Sequence, residues 1–85
     1  MRITEIHEPI NGGTLYSGLA VSTRGRRYEW MASRNQTISR AFREDPKEAL
    51  PDGRTCWFHI TAPRALSVAV RKAVRQAATP NRLTA

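Results

Sequence analysis

The chain has no acidic residue after Asp52. Between Gly53 and Ala85 six basic side chains (Arg54, Arg64, Arg71, Lys72, Arg75 and Arg82) stand without an Asp or Glu. The first 52 residues, by contrast, hold eight basic and seven acidic groups. Nearly all of the +7 formal charge therefore lies in the C-terminal 33 residues. A field of one sign that local is usually aimed at something negative.

Cysteine is nearly absent as well. Cys56 stands alone, which excludes an internal disulfide and suits a reducing, cytoplasmic setting. No apolar run approaches the ~18 residues needed to span a bilayer, so no membrane partner is expected. Arg2, Glu5 and Glu8 break up the N-terminus before a secretory signal could develop. With 85 residues and no internal repeat, the expectation is one domain, 1–85. Such a chain buries only ~60–65% of its unfolded surface, leaving no room for an enclosed substrate cavity of ordinary size. A homodimer sharing an apolar face is one way for it to gain burial.

The groups needed for catalysis or metal binding are also sparse. Cys56 and His59 lie three apart on a predicted strand, so they point to opposite faces and cannot share a proton. His7 could reach one of them only through the fold. One Cys and two His without paired spacing are a weak metal signal. Glu44, Asp45 and Glu48 cluster without an apolar wall that would raise a carboxyl pKa. There is no phosphate-cradling glycine loop. The expectation is a protein that is not an enzyme, with no cofactor and no metal.

What is present reads as α+β: a small antiparallel sheet of three to four strands with a C-terminal amphipathic helix on one face. Arg2–His7 is predicted as a short edge strand, and Asn11-Gly12-Gly13 as a turn. Leu15–Thr23 and Arg26–Ser33 form a predicted hairpin across Arg24-Gly25. A two- or four-residue loop sets Val21 opposite Tyr28 and Leu19 opposite Trp30. Leu15, Leu19, Val21, Tyr28 and Trp30 then share one face, while Tyr16, Gly18, Ala20, Arg27, Glu29 and Met31 share the other. Asn35–Arg43 is predicted as a short helix on the spacing of Ile38, Ala41 and Phe42. Asp45-Pro46 reads as the N-cap of a further turn through Leu50. Pro51-Asp52-Gly53 is a turn and Arg54–Ile60 a strand. Thr61 is the predicted cap of the closing helix, and Pro80 its end.

That helix carries the charge. Ala62, Leu66, Ala69, Val70, Ala73, Val74 and Ala77 fall on one arc, and Arg64, Arg71 and Arg75 on the opposite arc with Lys72 beside them. Arg71, Lys72 and Arg75 complement the helix C-terminus and need no further reason to be there. Arg64, in the first turn, has no such reason. A solvated face normally mixes signs to form i,i+4 pairs, and this one has no acid to do so. Arg24, Arg26 and Arg27 make a second basic cluster around Gly25. Arg34, Arg40 and Arg43 add charge that Glu44, Asp45 and Glu48 are placed to neutralise.

Twelve of the fourteen basic residues are arginine, which suits bidentate recognition of phosphate or carboxylate and also follows from GC-rich codon usage. With the helix over Leu19, Val21 and Phe58, the open face would show Tyr16, Arg27, Met31, Trp57 and His59, groups able to stack nucleobases. A sheet with a helix on its back and a basic tip resembles, in outline, DNA-binding domains that lay three strands in the major groove; no motif carries that resemblance.

The leading expectation is a nucleic-acid-binding module, for DNA or RNA, contacting phosphates through Arg64, Arg71, Lys72 and Arg75 and through the tip Arg24, Arg26 and Arg27, with Trp57 on the open sheet. The alternative is a protein-interaction module, a small inhibitor or adaptor, docking the same residues on an acidic protein surface.

Overall fold

A computed structural model of the chain describes residues 1–10, 12–45 and 51–78. Five strands precede one helix: β1 (Arg2–His7), β2 (Leu15–Val21), β3 (Arg27–Ser33), β4 (Ile38–Asp45), β5 (Cys56–Ile60) and α1 (Arg64–Ala78). The strands form one antiparallel meander in the order β1-β2-β3-β4-β5. The class is α+β as expected, with five strands instead of three or four.

The additional strand is β4, where the sequence pattern predicted a helix. Met31 pairs with Arg40 and Ala32 with Ile38, so Ser39 is an extra residue in the ladder. This bulge brings Ile38 and Ala41, three apart, onto one face. A bulged strand thus imitates the i,i+3 spacing of a helix, and only pairing with β3 and β5 settles the matter. Asp45 is the last residue of β4. The turn expected from Pro46 to Leu50 lies outside the described residues.

The register of the β2–β3 hairpin differs by one from the predicted register. Val21 pairs with Arg27, Ala20 with Tyr28 and Gly18 with Trp30. The cause is a three-residue turn. Ser22 N–H donates to Arg26 C=O (2.9 Å), Gly25 N–H donates to Ser22 C=O (2.9 Å), and Gly25 has φ 82°. This is a turn closed by a left-handed residue, the next commonest hairpin connection after two-residue loops. An odd loop reverses the parity that even loops impose, so every β2 side chain changes face.

The β3–β4 connection repeats the device. Ser33 N–H donates to Thr37 C=O, Gln36 N–H donates to Ser33 C=O, and Gln36 stands at φ 74° where Gly25 stood. Asn35 Oδ1 accepts from Thr37 N–H at 3.1 Å and from the Ser33 hydroxyl, holding the loop closed. The predicted turns at Gly12-Gly13 and Asp52-Gly53 are present: Gly13 N–H donates to Ile10 C=O, and Asp52 accepts from Arg54 N–H.

On the helix-side face large side chains alternate with small ones across the ladder. Tyr16 lies opposite Ala32, Trp30 between Gly18 and Ala41, and Tyr28 opposite Ala20. All are buried, Trp30 completely. Leu66, Val70 and Val74 of α1 close the layer from above, with Ile3, Ile38 and Ile60 at its margins. Tyr28 and Trp30 are core residues as expected. Tyr16 also belongs to the core and not to the open face, while Leu19 and Val21 lie on the open face. Phe58 is on the helix side but remains 41% exposed.

The helix begins directly after Pro63, whose carbonyl accepts from Ser67 N–H at 3.0 Å. Thr61 lies three residues before Arg64 and so does not hold the cap position. Pro80 lies outside the described residues.

Two substitutions test this packing. A Cβ at position 18 would sit 2.0 Å from the Glu5 carbonyl oxygen and 2.8 Å from the Trp30 ring. Gly18→Ala is therefore expected to cost about 3 kcal/mol or more in chemical denaturation, at the upper end for overpacking. Gln36→Gly relieves a left-handed non-glycine residue and is expected to raise stability by about 0.5–1 kcal/mol, measured by the same titration.

Candidate nucleic-acid interface

Strand pairing sorts the open face into rows. Glu44 lies opposite Trp57, and the Tyr28–Arg43 pairing places Arg27 next to Glu44 from the other side. The Arg27 guanidinium meets the Glu44 carboxylate at 2.9 Å and stands 5.8 Å from the centre of the Trp57 ring. Glu44 Oε2 is buried and has no aligned donor, so the contact is an ion pair and not a directed hydrogen bond. In the next row Glu29 pairs with Phe42 and Phe42 with His59. The Phe42 and His59 rings meet edge to face, 5.5 Å between centroids. The third row sets Met31 beside Arg40.

The basic stripe of the helix divides into two flanks. Ser67, Arg71 and Arg75 face the β3–β4 turn across a cleft of about 680 Å³. Asn35, Gln36, Thr37, Ser39, Arg40 and His59 form its other wall. Arg75 reaches Gln36 Oε1 at 3.5 Å. Among the described residues lining this cleft there is no Asp or Glu. On the other flank Arg64 and Lys72 border an apolar groove made by Met1, Ile3, Ala65, Val68, Ala69 and Ala73. Val68 is 57% exposed there.

Arg24 and Arg26 are exposed at the β2–β3 tip, as expected. Arg27 is not part of that tip; the first strand position turns it onto the open face toward Glu44 and Trp57. The concavity beside the tip contains Glu44 and Asp45 as well as Arg43. The tip also lies at the far end of the strands from the helix cleft. Leu15–Ser33 pairs at one end of the hairpin and Val21–Arg27 at the other. That span is roughly 20 Å at ~3.4 Å per residue, so one phosphate group cannot meet both sets of arginines.

Of the sequence-predicted residues, the structure brings Arg71 and Arg75 together, and separately Arg27 with Trp57. Lys72 and Arg64 share the opposite flank, and Arg24 and Arg26 stand apart. The sequence reading did not place Arg40 or His59 in a common site with the helix. Their convergence depends on the Ser39 bulge and on pairing between β4 and β5. No residue spacing announces either feature.

Cys56 and His59 do lie on opposite faces. Cys56 pairs with Asp45 on the helix side and His59 with Phe42 on the open side. His7 is on β1, at the opposite edge of the sheet from β5, and lies 3.5 Å from Glu5. Among the described residues no helix is long and apolar enough to cross a membrane, and no group of three His, Cys, Asp or Glu is placed to hold a metal ion. No protein-family model, curated protein or solved structure matches the chain.

The arginines separate by role, and stability measures the difference. Arg27→Ala leaves the largely buried Glu44 carboxylate without its counter-ion. It is expected to cost about 1 kcal/mol and to change Trp57 emission. Arg24→Ala and Arg26→Ala at the exposed tip are expected to change stability by less than about 0.5 kcal/mol in the same denaturation assay.

Proposed function

We propose that this protein binds nucleic acid through its phosphate backbone, with the cleft between α1 and the β3–β4 turn as the primary contact. The observation that carries the reading is the pair Arg71 and Arg75 over a cleft lined by no described carboxylate, with Arg40 on the adjoining strand and its side chain on the open face. Guanidinium groups present planar forks that match phosphate oxygens, and the neighbouring Asn35, Thr37 and Ser67 offer further donors. Lys72 and Arg64 extend the positive field over the outside of the helix, and Arg24 and Arg26 reach a more distant part of a long ligand.

A protein-interaction module is the second reading, and a specific feature favours it. Leu15, half exposed, continues into Leu19, Val21, Met31, Phe42 and Trp57 on the open face. An aromatic and aliphatic surface bordered by arginine also suits docking on an acidic protein, with Trp57 as an anchor.

Binding to labelled oligonucleotides at several salt concentrations separates the readings. Neutralising about five phosphates gives a log–log salt slope near −4.5 on duplex and near −3.5 on single strands. The double variant Arg71→Glu/Arg75→Glu is expected to lower affinity more than tenfold and to flatten the slope by roughly 1.5–2, with an unchanged circular dichroism spectrum. Affinity insensitive to salt, or retained in the double variant, would refute backbone binding. A Trp57-anchored protein interface would instead survive the charge reversal in part.

A further inference from the structure

We infer that the ligand of this site is a single strand, whose phosphates enter the cleft under Arg71 and Arg75 and whose bases lie on the open face against His59 and Phe42. The inference rests on the nucleic-acid reading and makes it specific. His59 decides the geometry, because it belongs to two surfaces. It sits on the edge strand β5, where the residue borders the cleft while its ring lies on the open face beside Phe42. A strand that leaves the cleft around the β5 edge therefore meets the imidazole ring on the open face. The ring is exposed, and Phe42 supports it from the side.

Charge fixes which part of the ligand goes where. The cleft has arginines and no described carboxylate, whereas the open face has Glu29 beside Phe42 and Glu44 beside Trp57. Phosphates are drawn to the former, while on the latter Arg27 and Arg40 only offset the two carboxylates. Uncharged base rings meet the opposite preference, since the open face supplies aromatic and aliphatic surface. A positive groove for the backbone combined with aromatic groups for the bases is how single strands are held without a sequence motif.

Spacing points the same way. His59 and Trp57 are two residues apart on one face of β5, roughly 6.8 Å at ~3.4 Å per residue. Bases in a duplex rise only about 3.4 Å per nucleotide, and their faces are already stacked. An extended strand can offer successive bases at the wider interval. Trp57, already covered on one side by Arg27, would be the second platform along the path toward the tip arginines.

The test is fluorescence anisotropy of the intact protein with a labelled 12-nucleotide DNA strand, the matching RNA strand, the 12-base-pair duplex, and polyphosphate as competitor. Wild type is compared with His59→Ala and with Arg71→Glu/Arg75→Glu. Intrinsic fluorescence is followed in parallel; Trp30 is fully buried, so quenching by ligand reports Trp57. The expected result is at least tenfold preference for single strands, quenching by single strands only, and a loss of about fivefold or more for His59→Ala on single strands alone. Equal or tighter duplex binding that His59→Ala leaves unchanged would overturn this inference and leave the backbone-binding reading intact. Competition by polyphosphate as effective as by the strand would reduce the cleft to an anion site and overturn it too. No binding to any of the nucleic acids would remove both proposals and direct attention to an acidic protein partner.

Discussion

The fit of Trp30 between Gly18 and Ala41 is the constraint on which the rest of this structure depends. The indole is fully buried, and its cross-strand neighbours are the two smallest kinds of side chain. Burying ~150–250 Å² of aromatic surface contributes about 4–6 kcal/mol at 25 cal/mol per Å². The ring nitrogen has no acceptor, which costs about 1–3 kcal/mol, so burial wins. The same slot requires Gly18, because the Glu5 carbonyl approaches from β1 where any side chain would sit. It also fixes which face of the sheet the helix covers. Leu66, Val70 and Val74 can descend onto the sheet only where alanines and glycine leave space around the aromatic rings.

From that choice the surface follows. With the tyrosines and Trp30 beneath the helix, the other set of β2 and β3 side chains is left outside, including Leu19, Val21 and Met31. The open face is therefore apolar as well as charged, and its charges are organised in rows with aromatic partners. The helix, turned to bury its three large aliphatic residues, presents Arg71 and Arg75 along one flank and Arg64 and Lys72 along the other. Arg71 and Arg75 come to overlook the β3–β4 turn because they lie on the flank next to Ser67, and the turn rises toward them. A cleft lined by no described carboxylate is thus a by-product of core packing, next to strand positions that carry Arg40 and His59 on the open face.

Legibility in the sequence varied by element for physical reasons. The helix could be read because a 3.6-residue period over fifteen residues has few competitors, and Leu66, Val70 and Val74 stand where the arc placed them. Tyr28 and Trp30 could be read as core from their size and alternation. The β2 face could not, because Leu-Tyr-Ser-Gly-Leu-Ala-Val is apolar on both sides and parity then rests on the loop alone. Ser22 to Arg26 encloses an odd loop, and Gly25 in a left-handed conformation is its signature. Gln36 carries the same conformation without being glycine, so the β3–β4 turn left no comparable signal. β4 was obscured by its own bulge.

By itself, the sequence determined the α+β class, the closing helix, the position of most turns and the separation of charge at Asp52. These depend on local periodicity and composition, which a linear chain displays in full. Tertiary structure alone decided which face of the sheet the helix covers, and which arginines meet carboxylates and which meet a cleft. It also decided that His59 stands where cleft and open face join. Each of those outcomes depends on register, and register is set by loop parity and bulges whose effect appears only when strands pair.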